Sequence, residues 1–171
     1  QQTGEVTKKT EKVFSIPEIG VAIAFPEEYA LTKSNEENRR GSFVSYDFQY
    51  KQPWNEPVFQ EIQFFSEESI RQFTAKCSDG PCFFGDYPNL ERYNGQKNAF
   101  DTQENYAGYE LKKFGNRYYF VSSFKCTGDS CVIREYTTFI GDTKIDIWIN
   151  MPYEVTESQA DDLFEKFEIV E

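Results

Sequence analysis

The sequence predicts a single α+β domain, a central antiparallel β-sheet flanked by helices, spanning residues 12 to 171 behind a flexible leader at 1 to 11. Three observations predict it. Runs such as VSYDFQY and KIDIWIN alternate apolar and polar side chains with the period of a strand that shows one face to a core. Two β-rich runs, RYYFVSSFKC and CVIREYTTFI, are joined by the turn-forming Thr-Gly-Asp-Ser. Near the C-terminus a T-x-x-Q capping box, Thr156 and Gln159, precedes Ala160, Leu163, Phe164 and Phe167 at helical spacing. A chain of 171 residues can enclose one sizeable core, and its 17 Phe, 11 Tyr and 2 Trp make that core aromatic.

The elements follow in order. The leader QQTGEVTKKTE is polar and aperiodic. Ile19, Val21, Ile23 and Phe25 alternate with small residues as one strand, which Pro26 stops. KSNEENRRG at 33 to 41 is a charged loop. Val44, Tyr46, Phe48 and Tyr50 form a second strand, and VFQEIQFF at 58 to 65 a third that pairs with it as a hairpin. Ser66, with Glu67 and Glu68 after it, caps a short helix carrying Ile70, Phe73 and Cys77, closed by Gly80 and Pro81. Residues 83 to 108 show no clear period and read mostly as loop, with a strand entering near Tyr106. A three-stranded meander ends in KIDIWIN, where Ile145, Ile147 and Ile149 face one way and Asp146, Trp148 and Asn150 the other. The capped helix follows, and residues 168 to 171 add a short edge strand.

Composition excludes several functions. The formal charge of −11 and the lack of any basic cluster longer than Arg39-Arg40 or Lys112-Lys113 argue against nucleic acid and anionic lipid as partners. No apolar run is long enough to span a membrane. Histidine is absent, which removes the usual general base and metal ligand. The acidic pairs Glu27-Glu28, Glu36-Glu37, Glu67-Glu68 and Asp161-Asp162 read as solvated charge and helix-dipole complement. DTQEN at 101 to 105 spaces its side chains like a calcium loop, but Tyr106 and Lys112 stand where an EF-hand needs glycine and glutamate. We expect no catalytic residues, no cofactor and no metal site.

The four cysteines fall in two near-twin hexapeptides, CSDGPC at 77 to 82 and CTGDSC at 126 to 131. Both spacings suit structural disulfides, Cys77 with Cys82 and Cys126 with Cys131, in an oxidising compartment. A four-thiolate zinc site and crossed pairings are the alternatives that this spacing permits. The aromatic strand residues Tyr118, Tyr119, Phe120, Phe124, Tyr136, Phe139 and Trp148 read chiefly as core. Trp148 differs, because it shares a face with Asp146 and Asn150; these three with Tyr118 are the candidate binding face.

Two segments carry a resemblance. GVAIAFPEEYAL at 20 to 31, and YTTFIGDTKIDIWIN with the capped helix and EKFEIV at 136 to 170, resemble the PsbP/Mog1-like superfamily, in particular an exported bacterial PsbP-related protein. The resemblance implies an α/β/α sandwich and an accessory or binding role without shared catalytic residues. The start at Gln1, the cysteine pairs and the absence of glycosylation sequons point to an extracytoplasmic protein of the bacterial periplasm or cell surface. We therefore expect a non-enzymatic exported protein, the soluble domain of an envelope lipoprotein with its lipid tether upstream of Gln1, that binds a protein or cell-envelope component. A small-ligand or carbohydrate binder is the alternative, and a carboxylate-dependent hydrolase the third reading.

Overall fold

The computed structural model describes residues 11–17, 19–38, 41–51, 55–65, 105–106, 109–125, 131–140, 143–152 and 154–170. The chain enters a small sheet through β1 (Glu11–Ile16) and β2 (Val21–Pro26). It then builds a large one from β3 (Ala30–Asn38), β4 (Gly41–Gln49), β5 (Val58–Phe65), β6 (Asn105–Tyr106), β7 (Tyr109–Phe114), β8 (Arg117–Lys125), β9 (Val132–Ile140) and β10 (Thr143–Met151). Helix α1 (Glu157–Phe164) and β11 (Glu168–Val170) close it. The large sheet has the order β3-β4-β5-β10-β9-β8-β7-β6 and the small one β1-β2-β11; every pairing is antiparallel. Two meanders thus meet at the β5–β10 seam.

This mostly β architecture corrects the expected α+β sandwich with flanking helices, and with it the α/β/α layering implied by the PsbP/Mog1-like resemblance. The layer packed on the large sheet is chiefly another sheet. Among the described residues α1 is the one helix. Two polar stretches account for the difference. Of KSNEENRRG, expected as a loop, residues 33 to 38 belong to β3 and Gly41 opens β4, with Asn38 opposite Gly41. Charges are tolerated there because β3 is an edge strand, whose outward side needs no apolar cover. Glu11, assigned to the leader, opens β1 and pairs with Pro26. The helix expected after Ser66 lies outside the described residues, as do Cys77, Cys82 and Cys126.

The inner face of the large sheet carries the core. Ile145, Ile147 and Ile149 are fully buried, as are Ile62 and Tyr136 beside them. The small sheet contributes Ile16, Ile23, Phe25 and Ile169 to the same cluster. Aromatic rings join the layers edge to face: Phe14 meets Tyr46, and Phe25 meets Phe48, each at 5.5 Å. Each large side chain so enclosed contributes about 1.5–3 kcal/mol relative to exposure.

The capping box forms as the sequence predicts. Thr156 Oγ1 accepts from the Gln159 N–H at 3.2 Å, and Gln159 Oε1 accepts from the Thr156 N–H at 2.9 Å. Gly115 turns the β7–β8 hairpin at φ +60°, where a side chain would be strained. No helix among the described residues is long and apolar enough to cross a membrane.

Candidate functional site

The outer face of the large sheet, opposite the small sheet and α1, is where polar and aromatic groups mix. Cross-strand register arranges them in rows. One row runs Asp47, Glu61, Trp148, Glu135 and Ser122 from β4 to β8. The next runs Ser45, Gln63, Asp146, Thr137 and Phe120. On the other side of the Trp148 row, Asn150 pairs with Ile133, and Ile133 with Phe124.

A bulge makes this arrangement compatible with the core. The β5–β10 register shifts between Trp148, opposite Glu61, and Ile149, opposite Phe59, leaving Gln60 as the extra residue. Residues 59 and 61 would otherwise share a face. The bulge lets Phe59 turn inward against Phe48 and Tyr29, at 5.2 and 5.3 Å, while Glu61 stays outside.

The two inner rows differ in accessibility. Asp146 and Thr137 are buried, and the Thr137 hydroxyl donates to Asp146 Oδ1 at 2.6 Å. Lys144, also buried, holds the other carboxylate oxygen at 2.8 Å and lies 4.9 Å from the Phe65 ring centre. Asp146 is thus committed to structure. The row of Asp47, Glu61, Trp148 and Glu135 is half-buried throughout. The Trp148 indole N–H donates to Glu135 Oε2 at 3.0 Å, and Phe124 meets its ring edge to face at 5.6 Å. Phe124 is 40% exposed. The indole is therefore held from two sides before any ligand arrives. Asn150 Oδ1 is buried with no hydrogen-bond partner.

Burial pushes the Glu61 carboxyl above the ordinary glutamate range, and the nearby Asp47 and Asp146 charges add to the effect. Hydrogen bonds from Gln63, at 2.8 Å, and Ser45 oppose it without reversing it. The native state therefore holds a proton on Glu61 at pH values where the unfolded chain has lost it, so this group's contribution to stability falls as pH rises through that window. Glu61→Gln is expected to gain stability relative to the parent between about pH 4 and pH 7, read by urea unfolding at both. An unchanged difference would show that Glu61 is solvated like an ordinary surface acid.

The structure brings together most of the residues that the sequence marked. Trp148, Asp146 and Asn150 share the outer face, and Tyr118, with Lys113 Nζ 5.5 Å from its ring centre, lies two residues before Phe120 on that same face. Tyr119 and Tyr136 are core. Glu61, Asp47, Glu135 and Phe124 were not marked. Their alternation with Ile62, Phe48, Tyr136 and Ser123 was visible in the sequence, but only the register shows that they flank Trp148.

A second polar cluster sits inside, between α1 and the large sheet. Asp161 accepts from Arg134 Nε at 2.7 Å and its Nη2 at 3.2 Å, from Lys112 at 2.8 Å and from the Tyr136 hydroxyl at 2.7 Å. Arg134 also reaches Ser123 at 2.9 Å and Glu157 at 3.4 Å. Burial alone would raise the Asp161 carboxyl, but its Arg134, Lys112 and Tyr136 partners hold it below the usual range. Asp161, expected as solvated charge, is instead the latch of α1. Its oxygens are saturated by this chain's own donors, so the cluster has a structural use. The sequence signal was Arg134, which shares an inward face with Tyr136 and so requires a buried anion.

Cys131 is held in a disulfide. Cys77, Cys82 and Cys126 lie outside the described residues. Among the described residues no group of acidic or thiol side chains is arranged to hold a metal ion.

The fold is similar to that of a Bacteroides thetaiotaomicron VPI-5482 protein known from a crystal structure at 1.50 Å resolution, with a TM-score of 0.50 and 14% identity. The likeness covers 96% of this chain and 50% of that one, so this chain spans about half the length of its structural neighbour. At such identity the likeness concerns the fold alone. No family model matches the sequence, and no curated protein matches it.

Proposed function

We propose that this chain is a non-enzymatic binding domain of an extracytoplasmic protein, and that it engages a protein partner through the outer face of its large sheet. One observation carries the reading: a half-buried indole, fixed by Glu135 and Phe124, stands between two glutamates on an otherwise tightly bonded face. Partly exposed aromatic anchors held rigid by their neighbours lose little entropy on binding and dominate many protein interfaces. The lack of histidine favours binding over catalysis. The Cys131 disulfide favours an oxidising compartment such as the bacterial envelope.

Peptides selected from a random display library on the immobilised domain test this. Trp148→Ala should abolish or weaken capture of the selected peptides by at least about tenfold, on the scale of an interface anchor, with the circular dichroism spectrum unchanged. Undiminished capture by a folded Trp148→Ala protein would place binding elsewhere and refute the reading.

A further inference from the structure

We propose that the outer face takes a lysine- or arginine-bearing segment of its partner, with the cationic head seated at Trp148 between Glu61 and Glu135; this rests on the binding-face reading above. Charge complementarity carries it. The row of Asp47, Glu61, Trp148, Glu135 and Ser122 holds three acidic residues and no basic one, in a chain of net charge −11. The described lysines of this face are engaged elsewhere: Lys144 binds Asp146 at 2.8 Å, and Lys113 lies over the Tyr118 ring.

The chemistry of the indole points the same way. Its N–H is already given to Glu135, so what Trp148 offers a ligand is π-surface rather than a donor. That surface attracts cations more strongly than any other side-chain ring. An anionic segment would meet the carboxylates of Asp47, Glu61 and Glu135 along that row, with no basic residue in it to offset them. A neutral glycan would find acceptors and a ring, but would gain nothing from the surplus negative charge.

A cation seated here has a signature that a neutral ligand lacks. Glu61 faces Asp47 from β4 and Asp146 from β10, and, across Trp148, Glu135 from β9. Burial and like charges hold its proton on above the ordinary range. An incoming cation favours the carboxylate, so binding expels that proton and affinity rises with pH through the same window.

The test uses a Trp54→Phe background, which leaves Trp148 as the one indole in the chain. Its fluorescence is titrated with an alternating Lys-Ser heptapeptide, the matching Glu-Ser heptapeptide and cellohexaose. The Lys-Ser peptide should give a saturable change that weakens about tenfold from low to moderate salt. Glu61→Gln should weaken it about fivefold and flatten its pH dependence. Glu135→Gln, which keeps an acceptor for the indole, should act similarly on affinity. Three results would overturn the inference: response to cellohexaose with the Lys-Ser peptide silent, binding undiminished from the parent in both glutamine variants, or library-selected peptides that need Trp148 yet lack basic residues. Each leaves the binding face itself standing, because that reading fails only if selected peptides ignore Trp148.

Discussion

Asp161→Ala is expected to destabilise the domain by about 3–5 kcal/mol, the range for removing one partner of a buried ion pair. The cost arises from what stays behind. The Arg134 side chain is 3% exposed and would lose both of its short contacts to the carboxylate, keeping Ser123 and the largely exposed Glu157. Lys112 and the Tyr136 hydroxyl would lose an acceptor at the same time. Arg134→Met in the Asp161→Ala background should recover much of the loss, because an apolar side chain of similar length needs no counter-ion. Urea unfolding of the single and double variants measures both effects. A single-variant cost below about 1 kcal/mol would mean that water replaces the carboxylate easily, as in a surface pair. The pH dependence gives a second check. Because the native Asp161 pKa lies below its unfolded value, its contribution is present above the ordinary aspartate range and is lost as pH falls through the native value. The acid limb of the stability profile should therefore be shallower in Asp161→Ala.

The same residue shows where sequence reading stops. Local signals were legible wherever one stretch contained its own explanation: the Thr156–Gln159 box, the β9–β10 meander, the β4–β5 hairpin and the opposed faces of KIDIWIN all appear in the structure. Layer assignment was not legible, because β11 pairs with β2 across almost the whole length of the chain, and nothing in FEIV announces that partner. Polar content misled at β3, where an edge strand tolerates the composition of a loop. For the candidate site, period-2 alternation placed Trp148 with Asp146 and Asn150. It gave Glu61 the face opposite Ile62, but not its place opposite Trp148, which only the pairing of β5 with β10 reveals. The same limit hid the partnership of Asp161 with Arg134, separated by 27 residues and by a change from strand to helix.

Phe164→Ala should cost about 3–5 kcal/mol, the range for truncating a fully buried aromatic. Phe164 is 0% exposed and stacks on Tyr136 at 3.7 Å, with Phe114 and Tyr119 edge to face at 4.8 and 4.9 Å and Phe167 at 5.4 Å. Phe164→Leu retains most of the volume and should cost less, losing mainly the ring geometry, worth about 0.5–1.5 kcal/mol per aromatic pair. Asp161 lies one turn earlier on α1, and Tyr136 is gripped by both residues, its ring by Phe164 and its hydroxyl by Asp161. Thermodynamic coupling between Phe164→Leu and Asp161→Asn is therefore expected at about 0.5–3 kcal/mol in a double-mutant cycle. Additivity would show that ring and hydroxyl are held independently. The effect on the opposite face should be small. Tyr136 points inward while its neighbour Glu135 points toward Trp148, and the backbone pairs of β9 with β8 and β10 fix that strand whether or not the stack is intact. Phe164→Leu should thus lower the unfolding midpoint while leaving the Trp148 fluorescence titration unchanged below it. A binding loss in step with the stability loss would instead tie the outer face to the packing of α1.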